Sequence, residues 1–230
     1  MTGCTWSCAP AKQRAPDLVG VDLEGLVGEL HGRFDALVAA REQALPAARK
    51  SIRSSANAIR AVHREELDAA DSLIAESGRT LGEALQAVAE HPDLRAAGYV
   101  QDAQKEYAEA HITRALVAGA PLPGPQELGV DDAPYLNGVA EAIGEGRRRI
   151  LDLLRAGDVD RGNAMLDTLE ELHGVLVTMD YPDAITMNLR RATDVARSLI
   201  EKTRGDLAIA AMRQGIEQAL DQHAQRLLLG

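Results

Sequence analysis

Apolar side chains recur at spacings of three and four through one long stretch of this chain after another, and short breaks rich in Gly, Pro and Asp separate the stretches. That period gathers them on one face of a helix rather than on alternate faces of a strand. It is plainest at Leu23, Leu26, Leu30, Phe34, Leu37 and Val38, within a helix expected from Asp22 to about Arg64. Pro46 is expected to kink or split that helix. A second helix is expected from about Glu65 to Ala89, closed by His91-Pro92-Asp93, and a third from about Pro92 to Val117. Gly119-Ala-Pro-Leu-Pro-Gly-Pro125 is the clearest break, a turn-rich loop that no helix crosses. Asp131 and Asp132 have the chemistry to cap a fourth helix, about Ala133 to Arg155, and Gly157 to close it. Asp158 opens a fifth to about Met179, and Tyr181-Pro182-Asp183 forms the next turn. Stretches from Ala184 to Arg204 and from Asp206 to Leu228 complete the chain, with Gly205 expected as the hinge between them.

The expected class is therefore all-α, a single-domain bundle of about seven helices over residues 17–230, behind a flexible tail at residues 1–16. Composition agrees, because only 3% of residues are aromatic and Ala, Leu, Glu, Arg and Gln stand where strands would carry β-branched and aromatic residues. No repeat of solenoid length stands out. No apolar window is long enough for a membrane span, and the first sixteen residues lack the basic start and apolar run of a secretory signal. The only two cysteines, Cys4 and Cys8, fall in the expected tail. Two thiols make neither a structural zinc site nor a disulfide framework, so a reducing, cytoplasmic setting is expected.

The net charge of -10 argues against a surface coated in positive charge for duplex DNA. It leaves RNA open, because a local basic stripe is enough to hold phosphates. Two such stripes are present. Arg49, Arg53, Arg60 and Arg64 recur at spacings of four, seven and four, and Arg190, Arg197 and Arg204 recur every seven. Each set shares one helical face. Without further support the plainer reading of either is a solvated face balancing nearby acids.

The acids are more selective. Asp102, Glu106 and Glu109 stand at i, i+4 and i+7, within a sector of about 60° on a helix, and Thr113 and Leu116 continue the stripe. Like charges stacked this way repel, so a cation is expected to compensate them. On the fourth helix Leu136, Val139, Ile143, Ile150 and Leu154 form the core stripe, and Glu141 and Glu145 project from nearly the opposite side. If that side faces the third helix, four or five carboxylates converge, a hard-oxygen set suited to magnesium or manganese. Spacing alone leaves solvated glutamates the commoner outcome. Glu170-Glu171-Leu172-His173 contains one Glu-x-x-His, but a di-iron site needs two of these and two more glutamates.

Several segments together carry a family resemblance. Gln104-Lys-Glu-Tyr-Ala-Glu-Ala110 and Tyr135-Leu-Asn-Gly-Val-Ala-Glu-Ala-Ile-Gly-Glu-Gly-Arg147 are similar to the translin superfamily, as are Gly157-Asp158 and Leu189-Arg-Arg-Ala-Thr-Asp-Val195. Arg41-Glu-Gln to His63 adds a weaker match to that family's long first helix. Translin itself mainly binds nucleic acid, whereas translin-associated factor X carries the acids of a magnesium-dependent RNase that cuts single-stranded RNA. This chain resembles the second type, through Glu106-Tyr107-Ala108-Glu109 and through Gly138-Val139-Ala140-Glu141 with Glu145. The resemblance implies Glu106, Glu109 and Glu141 as catalytic residues and, with Glu145, as ligands of Mg2+ or Mn2+. It implies single-stranded RNA as partner, with single-stranded DNA as the other strand class; from the stripes, the residues expected to hold it are Arg49, Arg53, Arg60, Arg64, Arg190 and Arg197. It also implies a homo-oligomer larger than a dimer, because the family's subunits pack into a closed shell. The alternative it leaves is a translin-like binding module whose acids do no chemistry. Three positions depart from the family pattern: Glu141 stands where it has Asp, Lys105 where it has Gln, and Pro134 where it has Asp.

Overall fold

The computed structural model describes residues 22–229. The segment expected as a tail, with Cys4 and Cys8, lies outside them. Two units are distinguished among the described residues, one up to Val38 and one from Ala39 onward. Within the first, residues 22–38 are the opening turns of a helix whose Leu23, Leu26, Val27, Leu30, Phe34 and Val38 are all exposed. The second unit carries the core.

The described residues are all-helical, as expected. Six helices are long: α1 (Leu23–His63), α2 (Leu67–Ala87), α4 (Gly98–Ala118), α6 (Asp132–Arg155), α7 (Val159–Val177) and α9 (Leu189–Leu229). Three single turns complete the set, α3 (Pro92–Arg95), α5 (Pro125–Leu128) and α8 (Asp183–Thr186). No described helix is long and apolar enough to cross a membrane.

The differences from the expected boundaries have local causes. Pro46 neither splits nor ends α1, which runs through it. The carbonyl that Pro46 cannot bond belongs to Glu42, and both residues are exposed, where solvent can stand in for the missing donor. The expected third helix is two, because Ala97 is extended at φ -68° and ψ 141°. The backbone oxygen of Arg95 accepts from the Gln101 side-chain amide at 2.9 Å. Gly205 is no hinge, since α9 continues past it. Arg147 of α6 donates to Thr203 Oγ at 2.8 Å and pairs with Asp206 at 2.8 Å, gripping α9 on both sides of the glycine.

α6 is the axis of the unit, packed on α4, α7 and α9, and α4 also packs on α2. The main core joins Ile112 and Leu116 of α4, Ile143 and Ile150 of α6, Leu169 and Leu176 of α7, and Leu189, Ile200 and Leu207 of α9. Against α2, α1 presents small residues instead: Ser51 and Ser55 hydroxyls lie 2.9 and 2.7 Å from Ser77 Oγ, all three buried. Helix α4 has buried residues around most of its circumference, among them Gln101, Gln104, Glu109 and Thr113. A polar residue on such a helix cannot simply turn to solvent, and that condition makes the site.

Candidate metal centre

The acids expected on one helical face lie along the side of α4 that meets α6. Gly138 permits that meeting: a Cβ there would stand 2.8 Å from the Lys105 carbonyl oxygen and 3.0 Å from the Glu109 nitrogen. Gln104 fixes how the helices align. It is fully buried, its Oε1 accepts from the Asp131 backbone N–H at 2.7 Å, and its amide donates to the Asp131 carboxylate at 3.1 Å. Asp131 thus stands at the N-cap of α6 without capping it, because its carboxylate is taken by Gln104 and by Arg95 at 2.7 Å.

With the two helices so aligned, Glu106, Glu109 and Glu141 each bring a carboxylate oxygen within 4.8 Å of the other two. It is the one such group of three acids, histidines or cysteines among the described residues. Glu109 is buried at 7% exposure, Glu106 is half-buried and Glu141 is exposed. Burial, then the charges of Glu106, Glu141 and Glu145, pushes the Glu109 carboxyl up to about 9. Burial raises Glu106 as well, against the pull of Lys105. A buried, cation-hungry carboxyl beside two others fits a divalent ion that prefers oxygen ligands. Asp102 is exposed and lines the adjoining pocket without joining the three.

Glu145 is differently engaged. His63, the last residue of α1, donates from Nε2 to Glu145 Oε2 at 2.5 Å, and its side chain is 3% exposed. That bond holds Glu145 below the usual carboxylate range. The arrangement makes Glu145 a supporting acid beside the three, oriented from α1. Lys105, one of the departures from the family pattern, projects across to α6. Its Nζ lies 2.8 Å from Glu141 and 3.4 Å from Glu106. Burial works against its charge, yet the bond to Glu141 and the neighbouring negative charges keep the ammonium above its ordinary value.

A pocket of about 560 Å3 opens beside the acids, walled by α4, α6 and the start of α9. Sequence reasoning missed three residues around it. Arg191 lines the pocket, is exposed and has no ion pair among the described residues, whereas its neighbour Arg190 turns to Asp180 at 2.7 Å. Asn188 lines it too, in left-handed backbone at φ 64° directly after Met187 at φ 55°. Asn137 ties this corner to α6, donating to the Thr186 carbonyl at 2.9 Å. Arg191 was legible as the second Arg of the Leu189-Arg-Arg run, but periodicity favoured Arg190. Nothing local to His63 marks its partner, which stands 82 residues away.

Of the basic stripes, Arg49, Arg53 and Arg60 are exposed on α1, and Arg64 is exposed in the turn just past its end. Arg60 leans on Asn57 at 2.7 Å and Arg64 pairs with Glu66, while Arg49 and Arg53 have no ion pair among the described residues. Arg197 is exposed without an ion pair among them, and Arg204 is tied to Glu170 at 2.7 Å. That pairing occupies the carboxylate of the lone Glu-x-x-His.

No protein-family model matches the chain. A protein of Methanocaldococcus jannaschii, itself named only as uncharacterised, is 28% identical over 192 residues, 83% of each chain. Among solved structures, AfC3PO in complex with duplex RNA is 30% identical with a TM-score of 0.75, covering 82% of this chain and 97% of that one. AfC3PO alone is 29% identical at a TM-score of 0.76, over 82% and 98% of the two chains. The fold also matches apo-NeC3PO at 21% identity and a TM-score of 0.72, over 83% and 100%. An all-helical fold shared with AfC3PO over nearly that protein's whole length, with the paired acidic motifs brought together on α4 and α6, shows that this chain belongs to the translin superfamily.

Proposed function

We propose that the protein is a metal-dependent endoribonuclease acting on single-stranded RNA, with its centre at Glu106, Glu109 and Glu141. The observation that carries this reading is the convergence of three carboxylates, one of them buried, within 4.8 Å at a solvent-reached pocket. These three would hold Mg2+ or Mn2+, with Glu145 supporting under the hold of His63. When bound, such an ion supplies charge neutralisation at a phosphodiester and an acidified water. Arg191 and Asn188, on the pocket wall, are placed to hold the RNA backbone next to the acids. RNA as the nucleic acid is supported by the AfC3PO structure, which holds a duplex. The test is a labelled RNA oligonucleotide, single- and double-stranded, incubated with the protein with and without magnesium. Binding with no metal-dependent cleavage of either would support the second reading, a non-catalytic RNA-binding module. That reading draws on one specific observation, the Lys105 ammonium beside Glu106 and Glu141.

RNA binding is expected to run through the arginines. Reversing the charge of Arg49, Arg53 and Arg60 together should flatten the salt dependence of RNA affinity, by roughly 0.7 in slope for each phosphate no longer held. An unchanged slope would leave that stripe as ordinary solvated surface. Assembly beyond a dimer is part of the same proposal. Ile209, Met212, Ile216 and Leu220 are each at least 55% exposed at helical spacing on α9, and an apolar stripe of this kind is suited to a neighbouring subunit. Light scattering at micromolar concentration should give a mass above that of a dimer, and a monomeric mass would refute it.

A further inference from the structure

Two of the three carboxylates already have a cation between them. Lys105 Nζ lies 2.8 Å from Glu141 and 3.4 Å from Glu106, on a side chain only 21% exposed. It joins one acid from its own helix to one from α6 and leaves the buried Glu109 without an ion pair among the described residues. A magnesium ion needs carboxylate oxygens at about 2.0 to 2.1 Å, through the same lone pairs that the ammonium engages. The two cations also repel over such short distances, strongly in a half-buried site.

We propose that Lys105 is a resident cation that holds the place of the divalent ion between Glu106 and Glu141, and that the ion enters only by displacing it. This rests on the metal-centre reading above and adds its regulation: the metal site works against a competitor built into the chain. Lysine suits the part better than arginine. Its charge is a compact ammonium on a flexible four-carbon stem, able to swing into the adjoining pocket when an ion arrives. Binding should therefore be weak, because the apparent Kd is raised in proportion to how rarely the ammonium leaves the acids on its own. A neutral residue at this position, such as the Gln of the family pattern, would leave the acids crowded in the metal-free protein but open to metal.

The probe is Mn2+ itself, tracked by loss of the free-ion electron paramagnetic resonance signal as the full-length protein is titrated. Lys105→Gln is expected to bind Mn2+ on the order of tenfold to a hundredfold more tightly than wild type, the range by which residues contacting a metal's ligands change affinity. Lys105→Arg, which keeps the charge, should bind no more tightly than wild type. In a chelator, Lys105→Gln should melt below wild type, and Mn2+ should raise its melting temperature by more. Equal Mn2+ affinity in wild type and Lys105→Gln, both binding, would overturn the displacement and leave the metal centre standing. No Mn2+ binding in wild type, Lys105→Gln or Lys105→Arg would remove the metal centre and this inference with it.

Discussion

Glu109→Gln is expected to lower RNA cleavage by on the order of a thousandfold and, in the same protein, to raise stability when no metal is present. The loss comes from the role proposed for the acids: a bound ion supplies several kcal/mol of charge stabilisation, and each 1.36 kcal/mol is a factor of ten in rate. The gain comes from burial. In the fold the Glu109 carboxyl is pushed from its ordinary 4.5 up to about 9. The folded protein therefore holds a proton that the unfolded chain releases through this window, so stability falls as pH rises across it. Gln has no proton to lose. The melting temperature of wild type in a chelator should decline between about pH 5 and 9, and that of Glu109→Gln should decline less. Glu106→Gln and Glu141→Gln should share the loss of cleavage without adding to it, because a site short of one ligand has already lost what the others serve. Glu141→Asp, restoring the family's residue, should keep or raise activity. Undiminished cleavage by both Glu106→Gln and Glu109→Gln would leave the RNA-binding module as the better account.

The second large effect is expected at a residue with no functional group. A Cβ on Gly138 would lie 2.8 Å from the Lys105 carbonyl oxygen, 3.0 Å from the Ala108 Cβ and 3.0 Å from the Glu109 nitrogen. Two of these three are backbone atoms, which cannot rotate away, so Gly138→Ala must push α6 off α4. Overpacking of this kind destabilises by about 1 to 3 kcal/mol, and Gly138→Val should exceed that. Gly146→Ala is the contrasting case, since the three atoms nearest its Cβ all belong to the Leu169 side chain, at 2.6 to 3.3 Å, and a side chain can reorient. Thermal and urea unfolding should rank Gly138→Ala clearly below Gly146→Ala, with weaker Mn2+ binding in the former because Glu141 recedes from Glu109. Equal stability of the two would show that the helices can give way at Gly138.

The helices were legible because their signals are local. Gly119 to Pro125 breaks the chain wherever it is placed, and a stripe at three and four needs only its own neighbours to be read. The same locality explains the misreadings. Pro46 and Gly205 carry helix-breaking signals, but what overrides them is solvent at Glu42 in one case and Arg147 reaching over from α6 in the other. For the site, Glu106 and Glu109 share a face by spacing alone. Whether Glu141 meets them depends on the close passage at Gly138, which the motif contains but spacing cannot interpret. The Glu145 partner could not be read locally at all, because it sits at the far end of another helix.

That last arrangement has a consequence for how α1 can change over time. His63 meets Glu145 only because the helix arrives at its final residue in the right rotational phase. One residue inserted or deleted between the part of α1 buried at Ala44 and Ala48 and its end would turn His63 by about 100° and shift it about 1.5 Å along the axis. The partner would then face solvent, or Ser51 and Ser55 would leave Ser77. Substitutions can accumulate along the exposed side of this segment, but its length is set. Homologues should vary freely in the loops between helices and hold a fixed residue count from Ala44 to His63.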